Sequence, residues 1–434
     1  MFTSLAARGA VVVFISQALG AGLALLVHVL LARWGGPYVY GIYSYATAWV
    51  LTLSIGVGGG FPTAALRFIP TYEASKRWSH LRGIVRRGEH VVILAALTVA
   101  SIGTALLWLF GDFSSSATSR AVLIGLWSLP VIGLVRFHTQ TGGALHHIVA
   151  AYLVPRLFRP MALIGGFALL AVLPAQWLTG SAVMVVFAFS FLPIALFQRG
   201  VVQRHLSTTV APAPAQYDTI SWLRVALPLL LVAGFVKVLQ QTDLLLVGWM
   251  LDVKAAGQYR AAMTVAAPVG FVLLAVNAVA APHFARCYAE GSVRRLHRFL
   301  QRIAHWLFWP TLALAVVVAL GSQILLGLFG PSFVEARTPL LILTLSHVVN
   351  AGAGSVGYLL NMTGYHADTA RVYGIAAVLN IAANSVGIYF FGLVGAALAS
   401  TLSMVLWNVW LHHLVQQRLH VAPSIFHALF LTRS

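Results

Sequence analysis

Twelve stretches of roughly twenty mostly apolar residues follow one another along this 434-residue chain, and only short polar turns separate most of them. They read as 10–32, 41–62, 91–111, 120–141, 150–173 and 181–198, then 225–251, 258–283, 306–329, 338–361, 372–391 and 394–415. Each is long enough to cross a hydrocarbon core of about 30 Å as an α-helix, where no water is present to satisfy backbone N–H and C=O groups. A β-barrel would alternate apolar and polar residues over about ten-residue segments, whereas these runs are continuously apolar. With 60% hydrophobic residues, 8% charged residues and a mean hydropathy of +0.88, the chain falls far from soluble domains, which carry about 25% charged residues. The expected fold is an all-α polytopic membrane protein of about 12 helices.

The formal net charge of +18 is reported by its placement. With a cytoplasmic N-terminus, 21 of the 27 Lys and Arg residues count to the inner side, five (Arg33, Arg120, Lys254, Arg260 and Arg337) to the outer side, and Lys237 falls within a span. That asymmetry is the positive-inside bias, so the charge sets orientation and gives no reason to expect nucleic acid as a partner. Both termini are expected in the cytoplasm, and the bacterial inner membrane is the expected location. Arg8 before an apolar run resembles a signal peptide, but the run is longer than a typical h-region and is read as the first span. Cys287 is the single cysteine, so an intramolecular disulfide is excluded.

One pattern occurs twice. Gly41-Ile42-Tyr43 follows the first span and Gly257-Gln258-Tyr259 the seventh, 216 residues apart. Trp34 and Trp249 precede them, and Pro62, Arg67 and Tyr72 are echoed by Pro282, Arg286 and Tyr288. A period this long indicates two lobes rather than a solenoid. Six spans per lobe, an even number, would make the repeats parallel about an axis normal to the membrane. The expected organisation is a bundle over 1–198, a cytoplasmic linker over 199–224 containing Pro212-Ala213-Pro214, a second bundle over 225–415, and a tail over 416–434. Outer loops (112–119, 174–180, 252–256, 331–337) are too short for an extracellular enzyme domain. Arg294, Arg295, Arg298 and Arg302, interleaved with Leu296, Phe299 and Leu300, read as an interfacial helix on anionic membrane lipids.

Enzyme chemistry finds no support. Gly352-Ala353-Gly354-Ser355-Val356-Gly357 matches a dinucleotide fingerprint by letter, but no strand precedes it and it lies inside an apolar span. His146-His147 and His412-His413 are adjacent pairs, unlike the three- or four-residue spacing of helical metal sites, so no metal site or resident cofactor is expected. The seventh span differs. Lys237, Gln240, Gln241 and Asp243 interrupt its apolar run. Lys237 and Gln241 share a face, while Lys237 and Asp243 lie about 120° apart and cannot pair as an i,i+4 couple. A central charge costs at least ~2.5–3.5 kcal/mol, so such groups face a protein interior or a wet cavity. A buried clasp between lobes is the bland alternative.

In the first lobe, His28 and Arg33 lie toward the outer end of span one, and Arg260 begins span eight; snorkelling competes with a cavity role for both arginines. Arg67 and Arg286, at the inner ends of spans two and eight, are anchors or a cytoplasmic entrance for substrate. The first six spans, as bounded above, contain no Asp or Glu, leaving Asp243 as the expected intramembrane carboxylate. A cavity built from Lys237, Arg33, Arg260, Gln241 and His28 would favour an anionic substrate such as a phosphate or pyrophosphate headgroup.

The chain resembles the polysaccharide flippases of the Wzx type, a branch of the multidrug/oligosaccharidyl-lipid/polysaccharide exporter superfamily. The resemblance rests on Gly41-Ile42-Tyr43, Leu66-Arg67-Phe68-Ile69-Pro70-Thr71-Tyr72, Asp243-Leu244-Leu245-Leu246-Val247-Gly248, Gly257-Gln258-Tyr259, Leu360-Asn361-Met362-Thr363-Gly364 and Phe391-Gly392-Leu393-Val394-Gly395-Ala396-Ala397. It implies two six-helix bundles around a central cavity and alternating access. It further implies a lipid-linked oligosaccharide on undecaprenyl pyrophosphate, moved from the inner to the outer leaflet. Lys237 fits the cationic lumen that such proteins are thought to use, and proton or sodium coupling would fall to Asp243. A polysaccharide polymerase and chain-length machinery are the implied protein partners. The rivals are a multidrug/cation antiporter of the same superfamily, which would be expected to carry acidic groups in its first lobe, and a membrane glycosyltransferase or polymerase, whose metal-dependent forms need carboxylates in an outer loop.

Overall fold

The computed structural model describes residues 2–110, 116–290 and 292–425. Among these residues the regular structure is all helical, with no strand. The side chains of Arg8 and Gln17, residues 112–115 of the loop 112–119 and the tail beyond Ile425 lie outside what is described. The chain divides into two compact units, Met1–Gly234 and Phe235–Ser434. Unit 1 holds α1 (Phe2–Val57), α2 (Phe61–Ala74), α3 (Trp78–Phe110), α4 (Ala117–Trp127), α5 (Leu129–Ala144), α6 (Val154–Val172), α7 (Gly180–Phe189) and α8 (Leu192–Thr208). The boundary falls inside α9 (Thr219–Met250), and unit 2 continues with α10 (Val253–Ala289), α11 (Val293–Leu320), α12 (Ser322–Gly327), α13 (Arg337–Ala353), α14 (Val356–Met362) and α15 (His366–Leu419).

Seven helices among the described residues are long and apolar enough to cross a membrane, or up to nine if each of two bent pairs is one span. Two of the seven are far too long for one crossing. At ~1.5 Å per residue a 56-residue helix such as α1 would reach roughly 80 Å, more than twice a ~30 Å core. Each of the longest helices is broken by a glycine. Gly36 in α1 takes φ 66°, and Pro37 after it supplies no N–H. Gly392 in α15 takes φ 55°. The breaks fall between the sequence spans 10–32 and 41–62 and between 372–391 and 394–415. The bent pairs are α4–α5, turned by 42° at Ser128 with Pro130 following, and the segment Pro331–Ala353 with α14, turned by 45° at Gly354. Gly354 belongs to the glycine motif set aside above; it makes a helix break here, not a nucleotide loop.

Two local readings change. The stretch 284–305 is not a separate interfacial helix: α10 runs to Ala289 and α11 begins at Val293, continuing unbroken into the apolar run. Its basic residues still occupy one face and Leu296 and Leu300 are buried on the other, because amphipathic spacing is kept within the longer helix. The stretch 199–224 is helical to Thr208 and again from Thr219. Residues 209–218 between them are held to unit 1 by Arg82, whose Nη2 donates to the carbonyls of Leu206 (2.6 Å) and Val210 (3.0 Å). Trp222 on α9 is fully buried and donates through Nε1 to the Tyr72 hydroxyl at 2.8 Å.

Candidate functional site

Unit 2 encloses a polar cluster around Asp243. The carboxylate is 4% exposed on α9. Its Oδ2 accepts from the Tyr259 hydroxyl at 3.0 Å and from Ser400 Oγ at 3.2 Å, and Oδ1 accepts from the Leu244 N–H at 2.8 Å. Asn384 Nδ2 donates to Ser400 Oγ (3.4 Å) and to the Asn380 carbonyl (3.0 Å). The side chain of Asn380 and Oδ1 of Asn384 are buried and make no hydrogen bond among the described residues. Arg260 lies close enough to act electrostatically on Asp243, and its Nε is buried without a hydrogen-bond partner. Buried polar groups are normally satisfied. A carboxylate surrounded by hydroxyl and amide oxygens with acceptor capacity to spare is a donor set that suits a proton or a hard monovalent cation. It equally suits a clasp that fixes α9, α10 and α15.

Unit 1 holds the opposite charge. Val149–Leu153 is a π-helical turn that leads into α6, and Arg156 and Arg159 follow one turn apart on it. Such turns redirect the face a helix presents. Arg159 lies about half-way along the apolar stretch Val149–Val172. Its guanidinium sits over the rings of Phe191 (4.2 Å to the centroid) and Phe187 (5.0 Å), and its buried Nε has no hydrogen-bond partner among the described residues. Together with Arg156, Gly20, Ala21, Pro155, Pro160 and Phe191 it lines a cavity of about 320 Å³. No carboxylate pairs with Arg159 among the described residues. Arg136 on α5 is another arginine within an apolar stretch, and its Nη1 donates to Ser54 Oγ at 2.9 Å.

The tyrosines of the two Gly-x-Tyr patterns, Tyr43 and Tyr259, lie in differently charged surroundings. Tyr259 serves Asp243 directly. Tyr43 is buried edge-on against Phe187, the ring beneath Arg159, and against Phe167. His28 is edge-on to Tyr43 with 6.2 Å between ring centroids, and its Nδ1 lies 3.1 Å from the Tyr40 hydroxyl.

The first six spans as bounded by hydropathy hold no carboxylate, but the third helix extends past its span and brings in Glu89. Hydropathy begins the third span at 91, yet α3 begins at Trp78, and Val85, Glu89, Val92 and Ala96 form one buried stripe along it. Glu89 Oε1 accepts from His138 Nε2 at 2.9 Å and Oε2 faces Arg199 Nη2 at 3.5 Å. These contacts tie α3, α5 and α8. Glu89→Gln is expected to lower the unfolding free energy by about 1–3 kcal/mol, read as a lower thermal midpoint of the detergent-solubilised protein. An unchanged midpoint would show that the network does not hold these helices.

The other sequence-selected residues divide clearly. Gln241 is buried near Asp243 on α9, with Oε1 unsatisfied, and Lys237 is half-buried one turn earlier. Arg33 is exposed. Arg67 is exposed over Phe68, and exposed Arg286 faces Glu290 at 3.6 Å. Asp243, Gln241 and Arg260 therefore lie in or beside the unit 2 cluster, while His28 belongs to the aromatic group of unit 1. Among the described residues no group of three or more His, Cys, Asp or Glu is placed to hold a metal ion. Arg159, Arg156 and Glu89 went unselected. The sequence signal available for them was that 156 and 159 fall inside the span 150–173, although the charge count assigns them to the inner side.

The sequence profile of the family described as "Polysaccharide biosynthesis protein" matches residues 6–288, and that of the MatE family matches residues 228–386. No curated protein matches the chain. Among solved structures the fold is similar to a multidrug resistance MATE family transporter of the MOP superfamily in its inward-facing conformation, with a TM-score of 0.75 and 11% identity over 97% of this chain and 100% of that one. It is also similar to the lipid II flippase MurJ in an inward closed conformation (TM-score 0.73, 16% identity, 94% of this chain and 87% of that one). A third likeness is to a MOP superfamily transporter from Pyrococcus furiosus whose binding pocket has reverse polarity (TM-score 0.62, 12% identity, 95% and 96% covered). The profile match over residues 6–288 places this multi-pass membrane chain in the polysaccharide biosynthesis protein family, and its fold is similar to that of the MATE and MurJ transporters.

Proposed function

We propose that this protein flips an oligosaccharide linked to undecaprenyl pyrophosphate from the cytoplasmic to the outer leaflet of the bacterial inner membrane, for polysaccharide biosynthesis. The observation that carries this reading is Arg159, a buried cation in an apolar helix with an unsatisfied Nε and Arg156 beside it in the same cavity. A lone cation at such depth is costly, so its retention asks for an anion that it meets in some state of the cycle. A pyrophosphate supplies that anion, and Arg presents the planar donor set that phosphate oxygens accept. The aromatic rings under Arg159 give it a resting place when the anion is absent.

Lys237 is proposed as a second cavity cation, with His28 and Gln241 as polar contacts for the headgroup. The proposed arrangement has twelve crossings, lobes over 1–198 and 225–415 as parallel repeats, and both termini in the cytoplasm. A sugar headgroup would pass between rocking lobes while its lipid tail stays in the bilayer, as in the general alternating-access scheme. Asp243 is proposed to couple this cycle to a proton or sodium gradient. Glu89 does not favour the cationic-drug reading, because His138 and Arg199 already partner it. A polymerase and chain-length machinery would receive the product outside.

Depletion of the protein is expected to leave lipid-linked oligosaccharide on the cytoplasmic leaflet, shown by protection from an external glycosidase in sealed spheroplasts. Unchanged external accessibility after depletion would rule out the flippase reading.

A further inference from the structure

We propose that α11 carries a binding site for the phosphate headgroup of an anionic phospholipid, separate from the transport cavity. The site is a cleft of about 420 Å³ lined by Arg298, Gln301, Arg302, His305 and Trp306. These positions recur at three- and four-residue spacing on one face of α11. The opposite face buries Leu296, Leu300, Ile303 and Leu307 in the core of unit 2, so the basic face turns outward. Trp306, 71% exposed, and Trp309, 51% exposed, stand where the helix passes from basic to apolar, the usual depth of aromatic side chains at a membrane surface.

Three observations set this patch apart from a general basic surface. First, four other arginines of unit 2 are paired within the protein. Arg286 and Arg295 pair with Glu290 at 3.6 and 2.6 Å, and Arg371 and Arg418 pair with Asp368 at 3.9 and 3.2 Å. No carboxylate pairs with Arg298 or Arg302 among the described residues. Secondly, the first turns of α11 carry arginines and no acidic residue, although cations there oppose the helix dipole. Arg295 is offset there by Glu290, while Arg294 has no carboxylate partner among the described residues. Thirdly, polar side chains line the cleft between the arginines: His305 Nδ1 donates to the Gln301 carbonyl at 2.9 Å, and Gln301 Nε2 lies 3.0 Å from His297 Nε2. Two arginines one turn apart can share phosphate oxygens, while the exposed indole lies against the acyl chains just below. On the proposed orientation this is the inner leaflet.

The test measures lipid retained by the full-length protein after delipidation in mild detergent and re-addition of phosphatidylglycerol or phosphatidylcholine, read by native mass spectrometry. Phosphatidylglycerol is expected to be retained and phosphatidylcholine not. Arg298→Gln/Arg302→Gln should lower phosphatidylglycerol retention about tenfold, and Arg298→Lys/Arg302→Lys should keep most of it. Arg371→Gln/Arg418→Gln removes the same charge from carboxylate-paired sites and should leave retention unchanged. Equal losses in the two glutamine doubles, wild-type retention in Arg298→Gln/Arg302→Gln, or equal retention of phosphatidylcholine would each overturn the site. Complete displacement by millimolar inorganic phosphate would assign it to a free anion and overturn the lipid.

Discussion

Arg159→Met is expected to cut flipping by about 10- to 100-fold while leaving the protein as stable as the wild type or more so. The rate loss corresponds to about 1.5–3 kcal/mol, the contribution of hydrogen bonds to a charged group. The stability expectation comes from opposing terms. Burying a cation at this depth costs at least ~2.5–3.5 kcal/mol, and two cation–π contacts return about 1 kcal/mol each. Met keeps a sulfur–aromatic contact with Phe187 and Phe191 and removes the charge. A residue whose loss destroys transport but not stability is retained for its chemistry. Arg159→Lys should keep part of the activity, since the charge remains but the planar donor set is lost. Lys237→Ala should lower transport by less than Arg159→Met, because Lys237 is only half-buried. A lower thermal midpoint in Arg159→Met, with flipping at the wild-type rate, would reduce Arg159 to a packing element.

Asp243→Ala is the second large effect, and here stability and function fall together. The carboxylate is the acceptor for the Tyr259 and Ser400 hydroxyls, both of which alanine would leave without it. At about 1–3 kcal/mol per unsatisfied buried group, a loss of roughly 2–4 kcal/mol is expected, read as a lower thermal midpoint. Asp243→Asn keeps an acceptor for both hydroxyls, removes the charge and turns its NH2 toward the Leu244 N–H. It should cost less stability than Asp243→Ala, about 1–2 kcal/mol, while flipping ceases to respond to an imposed proton or sodium gradient. If the gradient response persists unchanged in Asp243→Asn, the cluster is a clasp and coupling resides elsewhere. A double-mutant cycle with Tyr259→Phe should be strongly non-additive, because the two side chains share one hydrogen bond.

The all-helical membrane fold was legible because apolar runs of membrane-spanning length leave no other way to satisfy the backbone. Asp243 was equally legible as a carboxylate in an apolar run, and its burial with Gln241 follows from that setting. What hydropathy could not show is which face of a helix a charged residue occupies once the helix extends past its apolar window. Glu89 lies just before the third window, yet shares a buried stripe with Val85, Val92 and Ala96. The charge count assigns Arg156 and Arg159 to the inner side although both fall inside the span 150–173. The π-turn before α6, a tertiary feature with no sharp sequence signal, precedes the stretch that sets them on the cavity. Arg67, mid-way along α2, and Arg286, near the end of α10, are both exposed.

The repeat gains chemical content from this asymmetry. One tyrosine of each Gly-x-Tyr pair lies in a buried polar or aromatic group, with a cation in unit 1 and a carboxylate in unit 2. On the proposed reading one unit carries an anion-seeking site and the other a cation-seeking one, a division of labour that fits a substrate of one sign and a coupling ion of the other.

The most direct measurement of the central claim is flipping by purified protein in liposomes, using a fluorescent undecaprenyl-pyrophosphate oligosaccharide and a membrane-impermeant quencher of the headgroup. Wild-type protein should move the lipid between leaflets well above protein-free liposomes, Arg159→Met should not, and an otherwise identical lipid lacking the pyrophosphate should be moved poorly by both. Equal movement of the two lipids by the wild type, or wild-type movement of the pyrophosphate lipid by Arg159→Met, would contradict the account.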